Sequence, residues 1–284
     1  MATAYFNGAY LSPDQIRISP DERGFLFADG VYEVARRYNT HFFAMSDHLV
    51  RLKRSLTELR IEWDGADEVP QIAEELIRLN DLDGKDAIFY IQVTRGSAKR
   101  SHNFPNPPVA PTVYAFVREF KGDSKAIAGG VRVYLTEDIR WGRCDIKSIA
   151  LLPNVLGYQK AHEEGCTECV FVKDGVYTEG AHTNLFFVMN GVLYTFPSSG
   201  NILNGISRQH VIRLAAEAGI EVVEEAVAEN MKEYIHEAFL AGTTVEITPI
   251  TSLGDFVIRD GQPGPVTRLI QEKFYALVAS GKAI

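Results

Sequence analysis

Residues 136–154 read TEDIRWGRCDIKSIALLPN, and the lysine of this stretch, Lys147, follows Ile146 and precedes an apolar run at 149–152. A solvated lysine usually has polar neighbours, whereas a buried one needs an ion-pair partner or a chemical role. Desolvation disfavours the ammonium, and a neutral amine can form a Schiff base with a carbonyl. The plainer alternative is an amine that reaches solvent along its apolar stem, and this stretch alone favours that alternative.

The composition is that of an ordinary globular protein. The chain has 284 residues, 46% of them hydrophobic and 23% charged, which suffices for one large domain or two of usual size. Its net charge of -8 disfavours a phosphate backbone, so we expect no nucleic-acid partner. The first residues lack a basic and apolar leader, and no run reaches the length of a membrane span. These features predict a soluble, cytoplasmic protein without a membrane partner.

The three cysteines indicate neither a disulfide framework nor a metal centre. An odd count, Cys144, Cys166 and Cys169, is unsuited to a secreted disulfide scaffold. The C-x-x-C spacing at 166–169 follows a helix-ending glycine and leads into the strand-like CVFV, which favours small apolar residues at a strand start. A zinc site with His162 would lack a fourth ligand, so we predict no metal.

Strand-like and helix-like segments alternate along the chain, which predicts an α/β (α+β) fold. Asn7-Gly8 predicts a hairpin, and SDHLVRLKRSLTELRI predicts a helix capped by Ser46 or Asp47. The polar, glycine-ending segment 121–130 is the best linker candidate. We therefore predict a small N-terminal α/β domain at 1–120 and a larger C-terminal domain at 131–284.

Two helices of the C-terminal part carry clear signals. SRQHVIRLAAEAG predicts a helix with Ser207 as its N-cap. PVTRLIQEKFYALVAS predicts a final helix with one apolar face. The residues of that face are Leu269, Ile270, Phe274, Leu277 and Val278.

Sequence signatures for ATP or NAD loops are absent from the chain, so any chemistry must come from dispersed groups. Glu179, in YTEGAHTN, is a carboxylate able to keep a ring nitrogen protonated, although turn glutamates are mostly solvated. The Asn204-Gly205 turn before Ser207 suits an anion of phosphate size, with a plain N-cap as the alternative. The hydroxyls of AGTTVEITP suit the same anion, with an ordinary turn as the alternative.

A basic loop, VTRGSAKRSHNFP, brings Arg95, Lys99, Arg100 and His102 close together in the sequence. Arginine binds carboxylates through two parallel hydrogen bonds, which suits this loop to carboxylate recognition. A solvated basic loop is the alternative. Together, the candidates comprise a Schiff-base lysine, an acid for a ring nitrogen, a phosphate site and a carboxylate site. A pyridoxal-phosphate enzyme acting on amino acids requires these four contributions.

Six motifs carry a family resemblance: FADGVYEV, VTRGSAKRSH, EDIRWGRCDIKS, TEGAHTN, ILNGISR and GTTVEITP. In this order and spacing, from about Tyr5 to about Val278, the chain resembles the class IV, or fold-type IV, pyridoxal-phosphate aminotransferases. The closest likeness is to the D-amino acid aminotransferases. The resemblance implies two domains with the cofactor, pyridoxal 5′-phosphate, at their interface, and a C-terminal domain that binds it.

The resemblance also implies a role for each matching residue. Lys147 corresponds to the lysine that forms the internal aldimine and moves the proton between substrate Cα and cofactor C4′. Glu179 matches the acid on the pyridine nitrogen, Arg140 the arginine beside the phenolic oxygen, and Leu203 the residue packed under the ring. The phosphate ligands match Arg51, Ile206, Ser207 and one or both of Thr243 and Thr244. The group that fixes the substrate α-carboxylate matches Tyr32, Arg100 and His102.

In the family the last two residues come from the partner subunit, so a homodimer is implied. Branched-chain L-aminotransferases typically lack the R-x-H pair that stands here as Arg100-Ser101-His102, which favours D-amino acids. The implied reaction runs between a D-amino acid, such as D-alanine or D-glutamate, and a 2-oxo acid, such as 2-oxoglutarate or pyruvate. Ala181-His182-Thr183 replaces the family's serines, and Ser207 replaces the usual threonine.

Three alternatives to this function remain at the level of sequence. Two share the fold: a branched-chain L-amino acid aminotransferase and a lyase of the aminodeoxychorismate type. The third is of another class, a non-catalytic protein that binds small anions without a cofactor.

Overall fold

The structure is a computed structural model that describes residues 2–281. Contacts divide the chain into a first unit, residues 2–121 and 146–150, and a second unit, residues 122–145 and 151–281. The segment that carries Lys147 thus belongs to the first unit. The segment predicted as a linker, residues 121–130, contains a short helix, α4 (Ser124–Gly129), whose N-terminal amides are capped by Asp123. The predicted domain boundaries stay a prediction.

The first unit is built on a six-stranded antiparallel sheet in the order β2-β1-β6-β5-β3-β4. Its strands are β1 (Ala4–Phe6), β2 (Ala9–Leu11), β3 (Gly30–Tyr38), β4 (His41–Phe42), β5 (Ala87–Thr94) and β6 (Thr112–Glu119). Its helices are α1 (Arg23–Phe27), α2 (Met45–Leu59) and α3 (Val69–Leu79), with 3-10 turns at Pro13–Gln15 and Asp64–Glu68. The apolar faces of α2 and α3 and one face of the sheet share a hydrophobic core that includes Ile146.

The hairpin prediction is confirmed, and the predicted cap of α2 is wrong. Asn7 and Gly8 both have positive φ, which is the backbone that an Asn-Gly hairpin turn requires. Helix α2 has Ala44 as its N-cap, in the left-handed conformation, so Ser46 and Asp47 lie inside its first turn. The helix begins early because the chain leaves β4 at Phe43, whose amide still bonds the Arg36 carbonyl oxygen.

The second unit is built on a nine-stranded mixed sheet in the order β12-β11-β10-β13-β14-β7-β8-β9, with β15 paired to β14. Its strands are β7 (Val131–Glu137), β8 (Glu168–Lys173), β9 (Val176–Gly180), β10 (Asn184–Met189), β11 (Val192–Thr195), β12 (Val222–Val223), β13 (Glu237–Gly242), β14 (Glu246–Leu253) and β15 (Phe256–Val257). Its long helices are α5 (Leu152–Glu163), α6 (Ile206–Glu217) and α7 (Pro265–Ser280), with a 3-10 turn at Glu229–Tyr234. Strand β7 pairs in parallel with both β8 and β14.

The final helix, α7, has the predicted bounds but a slightly different buried face. Ile270, Phe274, Leu277 and Val278 are buried as predicted, whereas Leu269 is 37% exposed. Adjacent helical residues point about 100° apart, so Leu269 falls off the stripe that Ile270 occupies. Thr267 and Gln271 complete the stripe, where their polar atoms bond Glu237 and the Ile247 carbonyl oxygen.

The antiparallel sheet, the mixed sheet and their helices confirm the α/β (α+β) class. The free cysteine Cys169 lies buried in β8, in agreement with a strand interpretation of CVFV. Among residues 2–281, no helix has the length and apolar character needed to cross a bilayer.

Candidate active site

Lys147 lies in a short extended segment beside the start of β3. The Tyr32 amide donates to the Lys147 carbonyl oxygen at 3.0 Å, and the Ile149 amide donates to the Gly30 carbonyl oxygen at 3.1 Å. The Lys147 amide in turn donates to the Ser55 hydroxyl of α2 at 3.3 Å. With Ile146 buried in the core, the backbone of this lysine is fixed on both sides.

The Lys147 amine lies over an aromatic face. Its Nζ atom is 4.2 Å from the centroid of the Tyr32 ring, which stacks on Tyr90 with a centroid distance of 5.7 Å. Lys147 is half-buried, and Tyr32 lies on the strand that fixes its backbone. The structure thus brings together the predicted Schiff-base lysine and one of the three predicted carboxylate ligands.

Arg51, a predicted phosphate ligand, forms a buried cluster with Glu33 and His48. Its Nε and Nη2 atoms donate to the two carboxylate oxygens of Glu33 at 2.7 and 2.9 Å. His48 Nδ1 lies 2.9 Å from Glu33 Oε2. Burial by itself raises the pKa of Glu33, but the Arg51 charge and these hydrogen bonds hold that pKa well below its usual range. The bonds to Glu33 use two of the five N–H donors of the guanidinium and fix its plane.

The other two predicted carboxylate ligands, Arg100 and His102, gather on a different aromatic ring. The Arg100 guanidinium carbon lies 5.2 Å from the Phe27 ring centroid, and the His102 ring lies 5.5 Å from it. Both residues are exposed on their loop. Arg95, which the sequence grouped with them, is buried instead and bonds Asp29 through two nitrogens. The basic loop therefore divides into a structural arginine and an exposed arginine–histidine pair.

Glu179 is the last residue but one of β9, in the second unit, and is only 5% exposed. Its carboxylate accepts a hydrogen bond from Arg140 Nη1 at 2.5 Å and from Asn184 Nδ2 at 3.1 Å. The amide of Leu203 donates to both of its oxygens at 3.2 Å. Three of the predicted cofactor residues, Glu179, Arg140 and Leu203, are thus joined by direct hydrogen bonds.

Asp138 is a member of this cluster that the sequence did not reveal. It accepts from Arg140 Nε at 2.9 Å and from Arg140 Nη2 at 2.7 Å, so one guanidinium serves two carboxylates. Burial raises the pKa of Glu179 to about 7, although Arg140 opposes the shift and Asp138 adds to it. The bonds from Arg140 lower the pKa of Asp138 against the effect of burial.

Helix α6 begins next to the Glu179 cluster. Its N-cap is Gly205, not the predicted Ser207, and no side chain caps its first amides. Asn184 Nδ2 also donates to the Leu203 carbonyl oxygen at 2.8 Å, and a Cβ at Gly205 would overlap the Asn184 Oδ1 atom. A larger residue at 205 would displace the Asn184 side chain, whose amide nitrogen bonds Glu179 and the Leu203 carbonyl oxygen. Uncapped amides, a buried Ser207 and the helix dipole together suit an anion.

Thr243 and Thr244 lie in the turn between β13 and β14, both half-buried. Helix α6 packs against β13, the strand that leads into this turn. The residues of the second unit therefore fit pyridoxal phosphate by their chemistry. The buried carboxyl group of Glu179 shares the Arg140 guanidinium with Asp138, so it suits a cationic ring N–H. The uncapped amides of α6 suit a phosphate group.

The sequence missed four residues that support the predicted ones: Glu33, His48, Asp138 and Asn184. Asp138 and Asn184 stand inside two of the recognised motifs, EDIRWGRCDIKS and TEGAHTN, next to residues that were assigned roles. Glu33 stands inside a third motif, FADGVYEV, but its place on an alternating strand gave no sign that it is buried. A carboxylate or amide within a motif was the signal available for finding these three residues, whereas His48 stands in none of the six motifs.

Comparisons with known proteins identify the family of this chain. A family model described as amino-transferase class IV matches residues 30–253. The chain is 34% identical over 281 residues to the D-alanine aminotransferase of Staphylococcus aureus strain MSSA476, an alignment that covers 99% of both chains. The branched-chain amino acid aminotransferase of Escherichia coli is similar in structure, with a TM-score of 0.91, 26% identity, and coverage of 99% of this chain and 96% of that one.

A further similar structure is of a cofactor-bound form. It is the branched-chain amino acid aminotransferase of Thermobaculum terrenum in its PLP form, which has a TM-score of 0.83 and 25% identity and covers 99% of this chain and 95% of that one. The chain belongs to the class IV aminotransferases, which have the type IV fold and use pyridoxal phosphate.

Proposed function

We propose that this chain transfers the amino group between a D-amino acid and a 2-oxo acid. The observation that carries the proposal is the exposed pair Arg100 and His102 on the Phe27 ring, within the R-x-H motif of the basic loop. A guanidinium and an imidazole offer several N–H donors to one carboxylate. The 34% identity to a D-alanine aminotransferase over nearly the whole chain supports the same function.

Lys147 is the proposed catalytic base and cofactor lysine. Its half-buried amine over Tyr32 is held by a backbone bonded to both β3 and α2, so the amine is presented in a fixed direction. A base fixed in this way moves the proton off the substrate Cα, a contribution of about 10²- to 10⁴-fold in rate. Bound pyridoxal phosphate supplies the conjugated ring that withdraws electrons from that carbon.

Glu179 is proposed to hold a proton at the ring nitrogen, with Arg140 beside the phenolic oxygen and Leu203 against the ring. The hydrogen bonds of Glu179 to Asn184 and to the Leu203 amide fix its carboxylate plane. Arg51, Ile206, Ser207, Thr243 and Thr244 are proposed to bind the phosphate. Backbone amides at the start of α6 and hydroxyl groups are the donors that a phosphate prefers.

Tyr32, Arg100 and His102 are proposed to bind the substrate α-carboxylate, the last two acting from the partner subunit of a homodimer. Their arrangement in the chain supports this division. Tyr32 contacts Lys147. Arg100 and His102 lie on an exposed loop and contact Phe27 instead. We propose a cytoplasmic location, which the three free cysteines support. We also propose no nucleic-acid partner, because the net charge of -8 repels a phosphate backbone.

The donor panel that tests the proposal compares D-alanine with L-leucine, with 2-oxoglutarate as the acceptor. We expect turnover of D-alanine to exceed that of L-leucine. Lys147→Ala should abolish turnover and change the visible absorbance of the bound cofactor. Lys160→Ala is the matched control, because Lys160 also lies over a tyrosine ring, at 5.2 Å from the Tyr134 centroid, but is exposed on α5. Turnover of L-leucine alone would contradict D-specificity.

A branched-chain L-amino acid aminotransferase is the second candidate function, favoured by the TM-score of 0.91 to the Escherichia coli enzyme. The two candidates differ in which enantiomer presents its Cα–H to Lys147. The same panel decides between them, since each predicts a different preferred donor.

A further inference from the structure

The loop that carries the exposed arginine–histidine pair is held at its start by main-chain hydrogen bonds. The Arg23 amide donates to the Gly96 carbonyl oxygen at 2.9 Å. The Ala98 amide donates to the Asp21 carbonyl oxygen at 3.1 Å. The residues that follow, 99–104, are all exposed, so packing constrains their backbone less than it constrains the start of the loop.

The side chain of Arg23 reaches this exposed part of the loop. Its Nη1 atom donates to the Ser101 carbonyl oxygen at 2.7 Å and to the Asn103 carbonyl oxygen at 3.4 Å. These two carbonyl groups lie on either side of His102, and the first belongs to the residue after Arg100. Arg23 itself is only 3% exposed, so a single buried nitrogen fixes the backbone around both members of the pair.

Asp29 sets the direction of the Arg23 guanidinium. Arg23 Nε donates to Asp29 Oδ2 at 2.8 Å, and Arg95 donates to both oxygens of the same carboxylate at 2.8 and 2.9 Å. Burial by itself raises the pKa of Asp29, but the hydrogen bonds from Arg95 and Arg23 lower it below its usual value. Asp29 is therefore ionised at neutral pH, and charge-assisted hydrogen bonds hold the guanidinium in place.

Phe27, the last residue of α1, offers one ring to three side chains. The Arg23 guanidinium carbon lies 4.8 Å from the ring centroid, and the Arg100 guanidinium carbon lies 5.2 Å from it. The His102 ring is 5.5 Å away, measured between centroids. Helix α1 thus contributes both the arginine that bonds the loop backbone and the ring that the exposed pair contacts.

We propose that Arg23 is a positioning residue for the substrate carboxylate, because it holds the loop backbone so that Arg100 and His102 are ordered before the substrate binds. The inference rests on the proposed function, in which this pair binds the α-carboxylate. A loop that is already ordered loses less conformational freedom on binding, which raises the affinity. Arginine suits the role, since its planar fork of donors bonds Asp29 through Nε and the loop carbonyl groups through Nη1.

Calorimetry of the holoenzyme with propanoate, the deaminated analogue of alanine, tests this role without turnover. Arg23→Met should raise the Kd of propanoate by about tenfold or more, since a misplacement of about 1 Å at a binding group costs up to about 10²-fold. The KM for D-alanine should rise in the same variant by more than kcat falls, because the carboxylate is bound before the chemical step. The visible absorbance of the bound cofactor should not change.

Two further variants separate positioning from charge and from folding. Arg23→Lys keeps the positive charge beside Asp29 but lacks the planar fork, so it should restore only part of the affinity, and it replaces the methionine variant if that one fails to fold. The matched control is Arg37→Met. Arg37 is likewise buried, donates to the Thr40 carbonyl oxygen at 3.1 Å and lies 5.9 Å from the Phe42 ring centroid. This control should lower the free energy of unfolding and leave the Kd of propanoate unchanged.

Arg100→Ala distinguishes a failure of this inference from a failure of the proposed function. If Arg100→Ala weakens propanoate binding and Arg23→Met does not, Arg23 has no positioning role, and the proposed carboxylate site stands. Full affinity in Arg23→Lys would assign the effect to charge alone and would also overturn the positioning role. If Arg100→Ala leaves the Kd of propanoate unchanged, the proposed carboxylate site is wrong, and the role of Arg23 falls with it.

Discussion

Asp138 and Glu179 bind the same guanidinium. Arg140 donates to Asp138 through Nε and Nη2, at 2.9 and 2.7 Å, and to Glu179 through Nη1, at 2.5 Å. One positive charge among two buried carboxylates leaves a negative charge uncompensated when both are ionised. Glu179, the member with the single Arg140 bond, therefore holds a proton more readily than an ordinary glutamate, with a pKa raised by burial to about 7. A cationic ring nitrogen would supply the missing positive charge.

The first prediction concerns the pH dependence of stability in the cofactor-free protein. The pKa of Glu179 is raised from 4.5 to about 7 on folding, so the folded state binds the proton more tightly. Its contribution is fully present below pH 4.5 and is lost as the pH rises through about 7, a change of about 3 kcal/mol. Glu179→Gln should lack this loss. The free energy of unfolding of the variant minus that of the wild type should therefore increase as the pH rises from 5 to 8.

Urea unfolding at several pH values measures this difference. The control is Glu163→Gln, at an exposed glutamate of α5, which should follow the wild-type curve. Parallel curves for wild type and Glu179→Gln would contradict the prediction.

The second prediction is that Asp138→Asn lowers the pKa of Glu179. The substitution removes a negative charge that raises this pKa, and Arg140 then faces one carboxylate instead of two. The pH range over which the cofactor-free protein loses stability should therefore move downward. The measurement is the same urea series, and an unchanged or upward-moved range would show that Asp138 does not act on Glu179.

The residues proposed to touch the cofactor, Arg51 apart, were assigned from motifs with a specific order and spacing. Their supporting residues could not be predicted in this way. Glu33 lies on strand β3, whose alternating sequence predicts one polar face, yet both faces of β3 are largely buried. Its partner Arg51 is 18 positions away in the sequence. Sequence spacing carries no information on such a pairing, because it depends on how α2 lies on β3.

Helix starts show the same limit at smaller scale. Ser207 and Ser46 have the side chains of good N-caps, but each lies one or two residues inside its helix. In both cases the true N-cap residue is set by the neighbouring segment: the close approach of Asn184 to Gly205, and the exit of the chain from β4 at Phe43. Local propensity predicts that a helix exists there, and tertiary contacts decide its first residue.

The third prediction concerns the stability of the first unit. Glu33→Gln replaces the carboxylate that pairs with the buried Arg51 guanidinium by a neutral amide. We expect the free energy of unfolding to fall by about 3–5 kcal/mol, as for other broken buried ion pairs. Because the pKa of Glu33 is lowered on folding, its contribution is present above pH 4.5 and is lost as the pH falls. The difference between variant and wild type should therefore shrink in acid.

Chemical unfolding at pH 7 and at pH 4 tests this prediction. Glu75→Gln is the control, because Glu75 forms a similar two-bond pair with Arg78 on the exposed face of α3 and should change stability little. A loss for Glu33→Gln no larger than for Glu75→Gln would contradict a structural role for the buried cluster.

The fourth prediction concerns the proposed sharing of the site between two subunits. Lys147→Ala and Arg100→Ala should each be inactive alone, because each lacks one part of every site. If Arg100 acts on the partner subunit, a mixed dimer has one site that lacks both side chains and one site with both intact. Unfolding and refolding an equal mixture should then restore about a quarter of wild-type activity, since half of the dimers are mixed and one of their two sites is complete.

If Arg100 serves the site of its own chain, each chain of the mixed dimer carries one defect in its own site, and the mixture stays inactive. Lys147→Ala mixed with Glu179→Gln is the control, because we propose that these two residues belong to one site of one chain, and mixing should restore nothing. Restored activity in the first mixture but not in the second would show that the carboxylate-binding pair crosses between subunits while the lysine and the ring acid do not.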